Sequence, residues 1–445
     1  MSDYDLDEVP QHPDEWMRAM VKQLERTEHA TPAQQVASQK NLLLELVKHS
    51  IATVPGYKDR LKPLRRTNGK ITLDGWLDVP VLKRLDAVEL GDSLVSASVP
   101  DSHGEVTSRA TSGSTRIPLV FKVTQLHYTM LRCIMARYNR WHGLDYSKNL
   151  AIIQGYSAGE ATWPQGLQNE SWAIPALQPD KPGQLHCLNI NTPVDRQVEW
   201  LHRIKPDYLI SFPSNLRAIA LAIEEEEKPI KFRGVASFAE VLTPESRSII
   251  ARVLGSNPAD CYSSRECGCL ALQSPLSDNL LVQSEVTFLE ILDEHDRPCE
   301  PGEMGRVVVT SLHNYAQPLI RYDLGDFATF GLNDASGLPF PVLSNIHGRT
   351  RNLFRFPGNI LMQIDFETKL IRHYLNPKQW QVAQVGDTTL EIRIVPGCDP
   401  SEMDTQGMDR YIRDLLSMDL TINYKIVTEL TNPRTGKHED YICEI

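Results

Sequence analysis

The chain lacks any uninterrupted apolar stretch of the ~20 residues that a membrane-spanning helix needs. Its first thirty residues, beginning MSDYDLDEVPQHPDEW, have neither the basic start nor the apolar core of a signal peptide. A basic excess is also missing, because the net charge of the 445 residues is −11. This charge argues against nucleic acid as the main partner, since a phosphate backbone requires a basic surface. The sequence therefore predicts a cytoplasmic protein with no nucleic-acid and no membrane partner.

Paired cysteine motifs are absent as well. The eight cysteines are scattered, and in a cytosolic chain such a distribution does not predict a disulfide framework. Cys261, Cys267 and Cys269 are close in sequence, but their spacing differs from the paired pattern of zinc sites. Buried free thiols are the favoured interpretation, and a metal site at these three residues is left open.

Strand and helix patterns alternate in the middle of the chain. NLAIIQG (149–155) and DYLISF (207–212) have the composition of buried strands, and RQVEWLHRI (196–204) has helical spacing. Such alternation predicts an α/β fold with a largely parallel sheet. A chain of this length is also expected to form more than one domain.

Two helices have recognisable starts. Thr31 and Thr243 each precede a proline, which suits the first position of a helix. Gln34 is placed to close a capping box with Thr31. Gly255 is expected to end the second of these helices.

The pattern changes after about residue 275. LLVQSEVTFLEIL (280–292) and RVVVTSL (306–312) predict the two strands of a meander. From residue 380 onward, two strand patterns flank Gly386-Asp387, which indicates a hairpin. A helix and a strand over 421–427 follow, so this region predicts a small α+β unit.

One loop concentrates hydrogen-bond donors. TSGSTR (111–116) combines hydroxyl side chains with a glycine and an arginine. Successive backbone N–H groups in such a loop bind anions in many proteins, although ordinary turns have the same composition. On its own, the loop leaves both interpretations open.

Four further motifs place this loop in a larger pattern: YSSRE (262–266), PLIRYDLGDF (318–327), GRTRNLFRFPGN (348–359) and NPRTGKHE (432–439). In this order the five motifs resemble the adenylate-forming superfamily of acyl-CoA synthetases, peptide-synthetase adenylation domains and luciferases. Within it, the motifs most resemble those of phenylacetate–CoA ligases, from about residue 40 to the C-terminus. The resemblance implies that ATP and Mg²⁺ are cofactors and that CoA is a co-substrate.

The resemblance implies that the loop holds the ATP phosphates. The residues concerned are Thr111, Ser112, Gly113, Ser114, Thr115 and Arg116, with Thr115 also taking part in catalysis. Family members usually have glycine at the last of these positions. We interpret Arg116 as a compensating clamp, because a guanidinium binds phosphate through two hydrogen bonds.

Other site residues follow from the same resemblance. Glu266 would bind Mg²⁺, as a hard cation prefers oxygen ligands, and Lys437 would be the catalytic cation at the reacting phosphate. Tyr262 would stack on adenine, Asp326 and Arg349 would contact the ribose, and Ala239 and Glu240 would lie near the adenine. The remaining expected nucleotide contacts are Ser263 and Ser264. Tyr138, Phe238 and Ala239 are the candidates for the acid pocket.

The resemblance also implies a domain organisation. Residues 1–348 would form a large core with the ATP and acid sites, and residues 349–353 a hinge with Asn352 as its pivot. Residues 354–445 would form a small mobile domain that carries Lys437 and rotates after adenylation.

The implied function is activation of a carboxylic acid, of an aromatic, phenylacetate-like class, as acyl-AMP. The acyl group then passes to a thiol, with CoA as the favoured acceptor. One alternative is a stand-alone adenylating enzyme that passes the acid to an amine or a carrier protein. Another, from a different class, is a non-catalytic nucleotide-binding protein. The resemblance also allows a homodimer.

Overall fold

Strands and helices alternate along much of the chain. The computed structural model describes residues 13–110, 119–157, 159–349, 353–358, 360–362, 364, 366–430 and 440–445. The α-helices within these residues are α1 (Pro13–Thr27), α2 (Pro32–Thr53), α3 (Tyr57–Arg60), α4 (Arg84–Leu90), α5 (Gln125–Trp141), α6 (Val194–Ile204), α7 (Pro213–Glu226), α8 (Pro244–Leu254), α9 (Thr368–Leu375) and α10 (Thr405–Leu416).

The strands are β1 (Val106–Ala110), β2 (Val120–Thr124), β3 (Leu150–Gln154), β4 (Leu167–Asn169), β5 (Leu185–Asn189), β6 (Tyr208–Ser211), β7 (Gly234–Phe238), β8 (Ala259–Ser264), β9 (Gly268–Gln273), β10 (Leu280–Val282), β11 (Thr287–Leu292), β12 (Met304–Ser311), β13 (Tyr322–Phe330), β14 (Val342–Arg349), β15 (Phe354–Phe356), β16 (Ile360–Met362), β17 (Pro377–Gly386), β18 (Thr389–Pro396), β19 (Thr421–Ile426) and β20 (Tyr441–Cys443). The predicted α/β fold class is confirmed.

The chain divides into two compact units. The first contains residues 1–150, 169–185 and 259–346, and the second contains residues 151–168, 186–258 and 347–445. The predicted boundary between a core and a C-terminal domain at 349–353 stays a prediction.

In the first unit, strands follow one another in the order β11-β12-β13-β14-β10-β9-β8. The pairs β11–β12, β12–β13, β9–β10 and β8–β9 are antiparallel. Helix α2 buries Leu46 and Val47 in the core of this unit. Its predicted capping box is confirmed, because the Gln34 N–H donates to Thr31 Oγ1 and the Thr31 N–H donates to Gln34 Oε1.

The second unit contains two sheet regions. Strands β7, β6, β3, β5 and β4 are neighbours in that order, with β6 and β7 parallel, and helices α6, α7 and α8 bury Trp200, Leu216 and Ile250 in the same core. Helix α8 begins after the Thr243 cap, and Gly255 ends it at φ +82°, as predicted. The other region has the order β19-β18-β17-β20, and its β17–β18 hairpin turns between Gly386 and Thr389.

The single strand predicted over 280–292 is wrong. The segment forms β10 and β11, separated by a turn in which the Val286 N–H donates to the Gln283 carbonyl. Within this interruption the buried Glu285 carboxylate lies 2.7 Å from Nη2 of Arg137, on α5. The turn therefore contains one member of a buried ion pair, and the other member, Arg137, is distant in sequence.

None of the described helices is long and apolar enough to cross a membrane.

Candidate active site

Two of the motifs meet through a side-chain hydrogen bond. The Tyr262 hydroxyl, on β8, donates to Oδ2 of Asp326, on β13, at 2.7 Å. Both residues are half-buried, so the bond is partly protected from water. Gly325 precedes Asp326 with φ at +75°, a conformation that glycine adopts without steric cost. The aromatic ring and the carboxylate expected at adenine and ribose are therefore neighbours.

The rest of YSSRE is held by backbone contacts. The ladder between β8 and β9 shifts register between Tyr262 and Ser263, and such bulges redirect side chains. Ser264 Oγ accepts from the Cys267 N–H at 3.0 Å, which fixes the turn that follows β8. Arg265 donates to the carbonyl of Ala110 at 2.9 Å. This last bond ties the motif to the residue just before the predicted phosphate loop.

The predicted magnesium ligand already has a cationic partner. Arg84, the first residue of α4, places Nη1 2.9 Å from Oε1 of Glu266, and the two side chains are 24% and 11% exposed. The buried hydroxyl of Tyr322 also interacts with Arg84. Burial raises the pKa of Tyr322 well above its ordinary value, with the Glu266 charge as the next cause. Tyr322 is therefore a neutral hydrogen-bonding group beside this ion pair.

The donor set suits a metal ion that arrives with the nucleotide. In the described ranges, no three His, Cys, Asp or Glu side chains gather in a way that could hold a metal ion. Mg²⁺ in nucleotide sites is commonly bound by one or two carboxylates together with substrate phosphates. The single carboxylate of Glu266 fits this type of site, and when bound the ion would neutralise charge on the phosphates.

The Phe238-Ala239-Glu240 segment contains the last residue of β7 and the bend that follows it. Ala239 has φ +67°, a left-handed conformation that costs a non-glycine residue about 1–2 kcal/mol. Glu240 Oε2 accepts from the backbone N–H of Ser214 at 3.1 Å. Glu240 thus caps the N-terminus of α7, where a negative charge is favourable. Phe238 packs edge-on against Phe212, with ring centroids 5.1 Å apart.

The described residues do not define an acid pocket. Tyr138 is 1% exposed and lies against His142, with ring centroids 4.7 Å apart. A small cavity is lined by His127, Cys267 and Gly268 among others. It has room for about one water molecule. The roles of Tyr138, Phe238 and Ala239 in binding the acid therefore stay predictions.

The three clustered cysteines are buried free thiols. Cys261 and Cys269 face each other across the β8–β9 pair with sulfurs 3.8 Å apart. The contact with Cys269, followed by burial, raises the pKa of Cys261. Burial also raises the pKa of Cys267, so both groups are held as neutral thiols.

Several predicted site residues lie outside the described residues. They are Thr111, Ser112, Gly113, Ser114, Thr115, Arg116, Asn352 and Lys437, together with the side chain of Arg349. Their predicted roles stay predictions.

Two residues that matter to the site were missed by sequence reasoning. Arg84 is 182 positions from Glu266 and belongs to none of the five motifs. Ser214 contacts Glu240 through its backbone N–H, so its side chain carries no signal. Neither contact has a local pattern that could have revealed it.

Known proteins resemble this chain over part of its sequence and in its fold. No protein-family model matches the chain. The phenylacetate-coenzyme A ligase of Pseudomonas putida is 24% identical over 274 residues, which are 60% of this chain and 60% of that protein. The aligned region thus spans less than two thirds of the curated relative.

Solved structures match over more of the chain. A 2-hydroxyisobutyryl-CoA ligase in its postadenylation state, in complex with R3-HIB-AMP, has a TM-score of 0.70 at 18% identity and covers 94% of this chain and 92% of its own. The anthranilate CoA ligase AuaEII in complex with anthranoyl-AMP has a TM-score of 0.51 at 15% identity, with 75% and 66% covered. The chain therefore has the fold of adenylate-forming enzymes. The expected resemblance to adenylate-forming enzymes is confirmed at the level of the fold, and the partial sequence similarity to a phenylacetate-coenzyme A ligase agrees with it.

Proposed function

We propose that this protein is an ATP- and Mg²⁺-dependent ligase that activates a carboxylic acid as acyl-AMP. An oxygen of the carboxylate attacks the α-phosphorus of ATP, and pyrophosphate leaves. A thiol then attacks the acyl carbon, so that a thioester forms and AMP is released. CoA is the proposed thiol.

The hydrogen bond between Tyr262 and Asp326 is the observation that carries this proposal. It joins two motifs 64 residues apart and places an aromatic ring beside a carboxylate that is able to accept hydrogen bonds from ribose hydroxyls. Glu266 follows within the same motif as an oxygen ligand for Mg²⁺. Asp326, Tyr262 and Glu266 together supply contacts suited to the sugar, the base and the metal-bound phosphates.

Lys437 and the loop over 111–116 complete the proposed chemistry. Charge spreads over the phosphate oxygens as pyrophosphate departs, and fixed donors and cations stabilise it. We assign the phosphates to this loop, with Arg116 as an added cation, and the reacting α-phosphate to Lys437. The hydrogen bond from Arg265 to Ala110 supports placing the loop beside Glu266.

An aromatic acid is the proposed substrate class. Its support is the similarity to phenylacetate-coenzyme A ligase and to a ligase solved with anthranoyl-AMP. Because a structure matched over 92% of its own length is a 2-hydroxyisobutyryl-CoA ligase, small hydroxy acids belong in the same assay.

Acid-dependent exchange of labelled pyrophosphate into ATP tests the proposal. The panel contains phenylacetate, anthranilate, benzoate, 2-hydroxyisobutyrate and acetate, each with wild type and with Glu266→Gln. We expect exchange with one acid class and its loss in the variant, because the amide is a poorer Mg²⁺ ligand than the carboxylate. Exchange that is independent of acid, or absent with every acid, would contradict the proposal.

The acceptor is decided in a second assay. With the selected acid, AMP release is followed with CoA, with hydroxylamine and with a primary amine. CoA-dependent release that yields a thioester is the expected result. Faster release with the amine would favour an amide synthetase instead.

A further inference from the structure

A single guanidinium contacts both of the motifs that join at Tyr262 and Asp326. Arg84 places Nη1 2.9 Å from Oε1 of Glu266, which follows Tyr262 by four positions in the first motif. Arg84 also forms a side-chain hydrogen bond with Tyr322, which precedes Asp326 by four positions in the second motif. Four residues of a strand span about 13 Å at most. Arg84 is therefore a cation within the length of a nucleotide from the carboxylate expected at the ribose.

The backbone just before Arg84 is fixed on β13. The Leu82 N–H donates to the Arg321 carbonyl at 2.8 Å, and the Asp323 N–H donates to the Leu82 carbonyl at 3.0 Å. The Leu82 side chain is fully buried in the core of the first unit. The Arg84 side chain thus extends from a rigid base, which keeps its guanidinium beside Glu266.

The Arg84 guanidinium is accessible to a ligand. Its side chain is 24% exposed, whereas the side chains of Arg137 and Arg321, which serve buried ion pairs, are each 1% exposed. A guanidinium has five N–H donors in a planar fork that matches the paired oxygens of a carboxylate or a phosphate. The arginines that only join parts of this fold are enclosed, and Arg84 is partly open to solvent.

The charge of Arg84 is balanced by Glu266 only while this carboxylate has no other cation to serve. Glu266 is also the proposed Mg²⁺ ligand, and in that role it neutralises Arg84 less. A charge with limited access to water is costly unless it is paired, so Arg84 then requires a second anion. The proposed reaction brings two anions to this place, the phosphates of the nucleotide and the carboxylate of the acid.

We propose that Arg84 binds an anionic group of the substrates, through the paired oxygens that a phosphate and a carboxylate have in common. The inference rests on the proposed function, in which Glu266 binds Mg²⁺ and the acid attacks the α-phosphorus. Arg84 holds the reacting anion beside Glu266 and stabilises the negative charge that spreads over it. The motifs predict Arg116 and Lys437 as the cations of this site, and Arg84 is a third that belongs to none of them.

Binding of a neutral and an anionic nucleoside tests this inference without turnover. Adenosine and AMP share the base and the ribose and differ by the phosphate. Calorimetric titrations in the presence of Mg²⁺ give the Kd of each for wild type and for Arg84→Met. If Arg84 binds the phosphate, we expect the Kd for AMP to rise about tenfold, the effect of losing a charge-assisted hydrogen bond, and the Kd for adenosine to change less than about twofold.

The KM for the acid tests the other source of the anion. Pyrophosphate exchange is measured with the acid that the panel selects, at saturating ATP and Mg²⁺. If Arg84 binds the carboxylate, we expect the KM for the acid to rise about tenfold in Arg84→Met while the Kd for AMP stays within about twofold of wild type. A rise in both quantities, with adenosine binding unchanged, shows that Arg84 contacts both anions. Each of these three patterns supports the inference.

Three further variants separate anion binding from general stability. Arg84→Lys keeps the charge without the fork and is expected to recover part of the loss, and it replaces Arg84→Met in both assays if that variant does not fold. Tyr322→Phe removes a hydroxyl that holds the guanidinium and is expected to weaken the same ligand by a smaller factor. Arg66→Met is the matched control, because it removes an arginine from an exposed ion pair with Asp74, and it is expected to change none of these quantities.

Equal weakening of AMP and adenosine would overturn the inference, because it is the result expected if Arg84 only maintains the fold. An AMP Kd and an acid KM that both stay within about twofold of wild type would overturn it as well. Wild type that binds neither nucleoside and exchanges with no acid would overturn the proposed function and this inference with it. Wild type that binds and exchanges while Arg84→Met does so equally well would refute the role of Arg84 alone.

Discussion

Replacing Tyr262 by phenylalanine removes one hydroxyl and keeps the ring that is expected to stack on adenine. In the structure this hydroxyl donates to Asp326 Oδ2 at 2.7 Å. A hydrogen bond to a charged acceptor contributes about 1.5–3 kcal/mol. The lower end applies here because both residues are half-buried. About 1.5 kcal/mol corresponds to roughly a tenfold change in an equilibrium constant. Without the hydroxyl, the Asp326 carboxylate loses a contact that fixes its orientation before the ribose binds. Ordering this carboxylate then costs free energy during binding, so we expect the Kd for nucleotide to rise by about that factor.

Calorimetric titration with a non-hydrolysable ATP analogue measures this effect for wild type, Tyr262→Phe, Asp326→Asn and the double variant. If Tyr262 acts through Asp326, the losses are non-additive and the double variant resembles Asp326→Asn. The melting temperature of each variant serves as the control for folding. A Kd for Tyr262→Phe within about twofold of wild type, or losses that simply add, would refute the assigned roles.

Three further predictions follow from buried or paired charges. Arg137→Met leaves the buried Glu285 carboxylate without the guanidinium that faces it, whereas Glu28 keeps its ion pair with Arg140, so urea unfolding should show a loss of about 3–5 kcal/mol, and a loss below about 1 kcal/mol would contradict this. Arg84→Met frees the Glu266 carboxylate from a partly exposed pair that contributes about 1 kcal/mol. Half-maximal pyrophosphate exchange should then need about fivefold less free Mg²⁺, and a higher requirement would show that Arg84 assists the metal instead of competing with it. Burial lowers the pKa of His127 to about 4, whereas an unfolded chain binds this proton near pH 6.5. The contribution of His127 to the free energy of unfolding should therefore be constant above about pH 7 and fall between about pH 6.5 and pH 4, and a urea midpoint at about pH 5 that equals the midpoint at about pH 7 would contradict this reasoning.

Local signals in the sequence predicted local structure well. The cap at Thr31, the proline that follows it and Gln34 specify the start of α2 without help from distant residues, and the structure has the complete capping box. The glycine stop at 255 and the hairpin at 386–387 are similarly self-contained, because a positive φ or a tight turn is a property of a few adjacent residues.

The error over 280–292 has the opposite cause. Glu285 stands in an apolar run, and periodicity alone continues the strand through it. The strand is interrupted where this carboxylate meets Arg137, an interaction between residues 148 positions apart. A buried charge pair of this kind is decided by tertiary structure and leaves no periodic trace in either segment.

The candidate site shows the same difference between local sequence signals and contacts between distant residues. Tyr262, Asp326 and Glu266 were identified because each belongs to a contiguous motif. Arg84 was not, since it reaches its carboxylate partner from a helix far away in sequence. Motifs predict the residues expected to contact the nucleotide, whereas the groups that hold those residues in place become visible only in the folded chain.

In the proposed reaction, an oxygen of the acid attacks the α-phosphorus of ATP. The most direct test supplies the selected acid with a heavy-oxygen-labelled carboxylate, together with ATP, Mg²⁺ and CoA, and analyses the released AMP by mass spectrometry. One labelled oxygen is expected to pass from the acid to AMP, because the bridging oxygen of the acyl-adenylate stays with phosphorus when the thiol attacks the acyl carbon. Unlabelled AMP, or release of ADP and phosphate in place of AMP and pyrophosphate, would contradict it.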